Sequence, residues 1–257
     1  MGEWDLVSVD GIALDVVVHE AAAEPPRNLI VLVHDLARDR DQRGVFNQLA
    51  DRLAEDGSTV VRFSFRGHGA SAGTQRGFTT AGAMLDLTAV VDEATRRWSA
   101  PLTVLAVGFG AVPTCQSLGY LDRRGLTRLI LWSPVLDLRR TFLEPELPWG
   151  ERYGGKAAQE QLSQQDFVHI EDSFELGRVL FEEFALYQPE LEFVASRVPT
   201  LMVTSSEDEF TSTAIATDAA VTMGKCQVYE VAEADHDFGQ PGTADEAIRE
   251  TVMWMSA

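Results

Sequence analysis

The sequence predicts an α/β protein built on a mostly parallel sheet of eight strands, and three observations predict it. Short runs of continuous apolar residues recur along the chain, stretches at helical spacing fill the gaps between them, and an Asp-Gly pair separates two apolar runs near the N-terminus. Strands buried on both faces of a parallel sheet read as continuous apolar runs, and regular alternation of strand with helix defines the class.

Trp4 to Val9 and Ile12 to Val18 flank Asp10-Gly11, a dipeptide that supplies the positive φ angles of a two-residue turn, so the chain opens with a hairpin. Beyond Pro25-Pro26, apolar runs predict strands at 29–33, 59–63, 102–107, 128–132, 200–204 and 227–231. Phe46, Leu49 and Leu53 form one helical stripe, and Met84, Leu87, Val91, Ala94 and Trp98 form another. The alternation stops between Leu138 and Arg197, where aromatic and acidic residues mix. That stretch reads as an inserted helical cap, residues 138–197, on a core formed by residues 1–137 and 198–257. Trp132, Phe142, Trp149, Phe181 and Phe184 are its candidates for lining an apolar pocket, or else for packing the cap's own interior.

Composition excludes several function classes. With 21 basic against 40 acidic residues the net charge is −19, which repels nucleic-acid backbones and anionic membrane surfaces. Cys115 and Cys226 are the two cysteines; neither a disulfide framework nor a zinc spacing is formed. No metal or cofactor is expected. The N-terminal segment lacks the basic and apolar runs of a secretory signal, and the apolar runs fall far short of the ~20 residues that span a bilayer. The expected location is cytoplasmic and the expected partner a small apolar or aromatic molecule; the oligomeric state is left open. Almost all basic residues are arginine, a usage typical of GC-rich bacterial genomes.

Loops at the C-terminal ends of parallel strands carry ligands in open α/β sheets, and the chemistry-bearing residues fall in such loops. They are LIVLVHDLARD at 29–39, VVRFSFRGHGASAG at 60–73, VGFGAVP at 107–113, TSSEDEF at 204–210 and EADHDFG at 233–239. An imidazole oriented by a carboxylate is a competent base near neutral pH. Among the carboxylates in reach of such a role are Asp208, Asp137, Glu207, Asp235 and Asp237.

These loops together resemble the α/β-hydrolase superfamily, most closely its cinnamoyl-esterase and monoacylglycerol-lipase-like branch, over nearly the whole chain. The pattern RFxFRGHGxSxG at Arg62 to Gly73 is the most specific part of the resemblance. It implies an α/β-hydrolase fold and a sharp strand-to-helix turn, GxSxG, that presents a nucleophilic serine. Aligned on Gly108, the serine position is Gly110 and the second glycine is Val112. Thr114 and Cys115 follow too late to serve. The resemblance assigns Asp208 and His236 as acid and base, and the amides of Leu36 and Ala111 as the donors of an oxyanion hole. Asp35 stands where the family has glycine, either as an additional acid or as a solvated loop residue. His34 and the Arg66 to Gly69 segment are expected to be structural.

Without a serine, covalent acyl transfer is not expected. The resemblance implies a non-hydrolytic enzyme, in which His236 as general base acts on an apolar small molecule by cyclisation, C–C bond formation, isomerisation or elimination, as serine-less relatives do in bacterial natural-product pathways. The alternatives are slow hydrolysis by an activated water and a catalytically inactive ligand-binding protein.

Overall fold

The computed structural model describes residues 2–22, 24–171 and 174–256. Its strands are β1 Gly2–Val7, β2 Ala13–His19, β3 Leu29–Val33, β4 Thr59–Phe63, β5 Leu102–Val107, β6 Leu126–Trp132, β7 Phe167–Ile170, β8 Phe174–Gly177, β9 Thr200–Ser205 and β10 Cys226–Val231. Eight form one sheet in the order β1-β2-β4-β3-β5-β6-β9-β10. β1 and β2, and β2 and β4, pair antiparallel; every other neighbouring pair is parallel.

The central strands are buried throughout because both sheet faces are covered. Alternate residues point to opposite faces: Leu29, Val31 and Val33 of β3 join one apolar cluster, and Ile30 and Leu32 join the other. The same alternation corrects the placement of Trp132. Its neighbour Leu131 faces the cap side, whereas Trp132 turns to the opposite face, packs on Phe238 and donates its Nε1–H to Thr251 Oγ1 at 3.1 Å. It is not among the residues that line the cavity beside Asp35 and His236.

The N-terminal turn is longer than a two-residue loop. Val7 pairs with Ala13, and Ser8 N–H reaches Ile12 O at 2.8 Å, with only Gly11 at positive φ, +88°. Residues 138–197, expected as a helical cap, lie between β6 and β9 and are not purely helical. Helices at Pro148–Gly154, Lys156–Gln165, Arg178–Glu183 and Pro189–Ala195 surround the antiparallel hairpin β7-β8. Phe142 stacks on Phe184 at 4.1 Å between centroids, Phe181 meets Phe184 edge-on, and Phe142 reaches Phe109 at the sheet edge. These rings join this stretch to the main core, and Phe184 also lines a cavity with Leu136, Leu138 and Tyr187. No helix of the described residues is long and apolar enough to cross a membrane.

Candidate active site

β3, β5, β9 and β10 end on the same edge of the sheet, and the loops after them deliver Asp35, Gly108, Asp208 and His236 to one point. His236 Nδ1–H donates to Asp208 Oδ2 at 2.9 Å, and its Nε2–H donates to Asp35 Oδ2 at 3.0 Å. A single imidazole thus bridges two buried carboxylates.

Three of the four competing carboxylates are otherwise engaged, and the fourth, Glu207, lies on the rim of the cavity. Asp237 binds Arg38, Asp235 accepts from Gly239 N–H, and Asp137 accepts from Arg140 N–H. Asp208 is fixed by more than His236: the amides of Phe210 and Thr211 donate to Oδ1, and the hydroxyls of Thr211 and Ser205 donate to Oδ2. Ser205 Oγ also meets Ser133 Oγ at 2.8 Å. Burial opposes the charge on Asp208, but the imidazolium and these donors outweigh it and bring its pKa down to about 2. For His236, burial likewise opposes charge. The two carboxylates prevail, and its pKa lies well above the ordinary 6.5. Each ring nitrogen of His236 is held by a carboxylate, and both carboxylates favour the imidazolium over the free base that the resemblance implies.

Asp35 is not a solvated loop residue; it is 2% exposed. Its Oδ1 accepts from Leu36 N–H at 2.7 Å and from Phe109 N–H at 2.5 Å. The Leu36 amide is thus where the sequence reading puts a donor, but it is occupied. Ala111 is not the second donor, because its N–H turns back to the carbonyls of Gly108 and Phe109 in the first turn of the helix. Phe109 takes that place.

The strand-to-helix turn also shifts by two residues. Gly110 has helical angles, φ −55° and ψ −23°, and a Cβ there would lie 2.6 Å from His34 O. Its glycine serves close packing against the end of β3. The residue directly after β5, with φ +51°, is Gly108, and a Cβ on it would lie 2.2 Å from Asp35 Oδ1. The Asp35 carboxylate fills the space a side chain at Gly108 would enter.

His34 holds this arrangement from below. Its Nδ1–H donates to Asp35 O at 2.7 Å and its Nε2 accepts from Phe65 N–H at 2.9 Å; burial pushes its pKa down to about 4, so the ring stays neutral. Asp35 N–H is bound by Gln42 Oε1. Arg66 has the structural role expected of it: it ties its loop to the fully buried Asp86 and to Asp10 in the hairpin turn.

A cavity of about 360 Å³ opens onto Asp35 and His236. Leu36, Trp149 and Phe210 form its apolar wall, the two rings lying 4.0 Å apart, while Glu207, Glu209 and Asp235 face it from the rim. Of the expected pocket residues, Trp149 alone lines it. Arg38 closes one side, donating to Glu171 of the β7-β8 turn and to Asp237 beside His236. Among the described residues no group of three His, Cys, Asp or Glu side chains could hold a metal ion.

An eight-stranded, mostly parallel sheet with its polar centre on the strand ends defines an α/β-hydrolase fold. The family described as serine aminopeptidase, S33, matches residues 24–168, and the chain belongs to that family. Among solved structures, Est1E from Butyrivibrio proteoclasticus with ferulic acid bound is similar at 18% identity and TM-score 0.79, over 96% of this chain and 97% of that one. A putative hydrolase from Agrobacterium vitis S4 is similar at 18% identity and TM-score 0.74, over 99% and 97% of the two chains. An esterase of Pyrococcus furiosus is similar at 15% and 0.74, over 99% and 90%. These likenesses concern the fold. No significant match is found among curated proteins.

Proposed function

We propose that this chain is a non-hydrolytic enzyme that moves a proton within a small apolar or aromatic molecule, with Asp35 as base and the His236 imidazolium as acid. Gly108 stands where the family's serine would project, so no acyl-enzyme forms. The observation that carries the reading is the 3.0 Å contact between Asp35 Oδ2 and His236 Nε2. A substrate entering from the cavity loses an acidic C–H or O–H proton to Asp35 and receives one from His236 at a second atom. The proton then passes from Asp35 back to His236 across their hydrogen bond, and the site is reset without an outside donor. Such paired transfer suits isomerisation, cyclisation or elimination, and C–C bond formation through an enolate, as expected of an enzyme of bacterial secondary metabolism.

Direct hydrolysis by an activated water fits less well. The Leu36 and Phe109 amides that would steady a tetrahedral oxyanion are bonded to Asp35 Oδ1. A ligand-binding role without turnover is the second reading, favoured by the same satisfied donors.

The test is deuterium incorporation from D2O into uncharged aromatic ketones such as 1-indanone and 2-tetralone, followed by mass spectrometry. The wild-type protein is expected to exchange label faster than buffer, with Asp35→Asn and His236→Gln both at the buffer rate. Ketone binding without exchange would instead establish the binder.

A further inference from the structure

We infer that Asp35 is a tethered stand-in for a carboxylate ligand and that it bars anionic small molecules, aromatic carboxylates in particular, from the centre of the site. Three N–H donors converge on its two oxygens: Leu36 N at 2.7 Å and Phe109 N at 2.5 Å on Oδ1, and His236 Nε2 at 3.0 Å on Oδ2. Two backbone amides and a cation aimed at one carboxylate make an anion site. The chain fills it from within.

The remaining carboxylate cannot move over to replace Asp35, because Asp208 is held by its own backbone and hydroxyl donors. His34 and Gln42 fix the Asp35 backbone on either side of the peptide, so the side chain is placed rather than free to swing. The cavity beside it has the wall for an aromatic ring in Trp149 and Phe210, and Phe210 lies 4.5 Å from the His236 ring. An aromatic acid set against that wall would bring its carboxylate onto the three donors, where the Asp35 side chain already occupies the two amides and its charge adds to the exclusion. A neutral aromatic molecule meets no such charge. Asp35 is thereby a specificity-determining residue, and the ligand class it admits is uncharged.

The inference concerns binding and is separable from the acid–base reading. Benzoate is titrated into isotope-labelled wild-type protein, Asp35→Ala and Asp35→Asn, with the Leu36 and Phe109 amides and the His236 ring followed by NMR. Asp35→Gly gives the same vacancy should Asp35→Ala fail to fold. Benzoate is expected to shift all three groups in Asp35→Ala at concentrations at least tenfold below any effect on the wild type. Asp35→Asn, whose side-chain carbonyl still fills the two amides, is expected to behave as the wild type does. Equal binding by wild type and Asp35→Ala, a folded Asp35→Ala that ignores benzoate, or binding by Asp35→Asn equal to Asp35→Ala would each overturn the inference. A protein that shows this selectivity but exchanges no ketone proton would sink the acid–base reading and leave this one standing.

Discussion

Gly108→Ser combined with Asp35→Gly is expected to turn the chain into a serine hydrolase that a fluorophosphonate labels, whereas wild type and Gly108→Ser alone stay unlabelled. The reason is space and charge at one point. A Cβ at Gly108 would lie 2.2 Å from Asp35 Oδ1, so the single variant must displace a buried carboxylate as well as hold serine at φ +51°, a strain of about 1–3 kcal/mol. Removing the Asp35 side chain clears that space. It also frees the Leu36 and Phe109 amides and takes away one of the two carboxylates that keep His236 charged, which lets the imidazole act as a base toward the new hydroxyl. Hydrolysis of p-nitrophenyl acetate is expected to rise on the order of a hundredfold or more over wild type, the scale a general base and an oxyanion donor each supply. Gly110→Ser is the control: its Cβ points at His34 O, not at His236. Labelling of Gly110→Ser in place of the double variant would restore the register read from sequence.

His236→Ala is expected to be the most destabilising single change at the site. It leaves Asp35 and Asp208 buried with no cation between them, and breaking a buried pair in this way costs about 3–5 kcal/mol. The loss should depend on pH in a definite direction. The His236 pKa is raised on folding, so its contribution is complete below the ordinary value of 6.5 and fades as pH climbs through the higher folded value. The Asp208 pKa is lowered from 3.8 to about 2, so its contribution is complete above 3.8 and is lost as pH falls through about 2. Urea unfolding of wild type and His236→Ala should therefore differ most between about pH 4 and 6.5 and converge in alkali. A difference that grows as pH rises would mean that His236 is buried neutral.

What could be read from the sequence follows from how local each signal is. The parallel strands were legible because burial on both faces leaves continuous apolar runs, and Asp208 and His236 because each follows such a run. The side of Trp132 was implicit in strand alternation, since Leu131 and Trp132 cannot share a face. The β7-β8 hairpin was not legible: its strands have four residues each, with His169 and Glu175 among them, too short to separate period two from helical spacing. The turn after β5 offered two glycines two residues apart, and only the positive φ distinguishes Gly108 from Gly110. Asp35 was the hardest case. Its partners Phe109 and His236 lie 74 and 201 residues away, and no local pattern announces a loop carboxylate that crosses the sheet edge to meet them.

Both expected results depend on His236 being held as an imidazolium between Asp35 and Asp208. Long-range proton–nitrogen NMR on the histidine-labelled wild-type protein tests it directly. Protonation of both ring nitrogens at pH 7, lost at a lower pH in Asp35→Asn than in the wild type, is the predicted result. A neutral His236 ring with one bare nitrogen at pH 7 would contradict it.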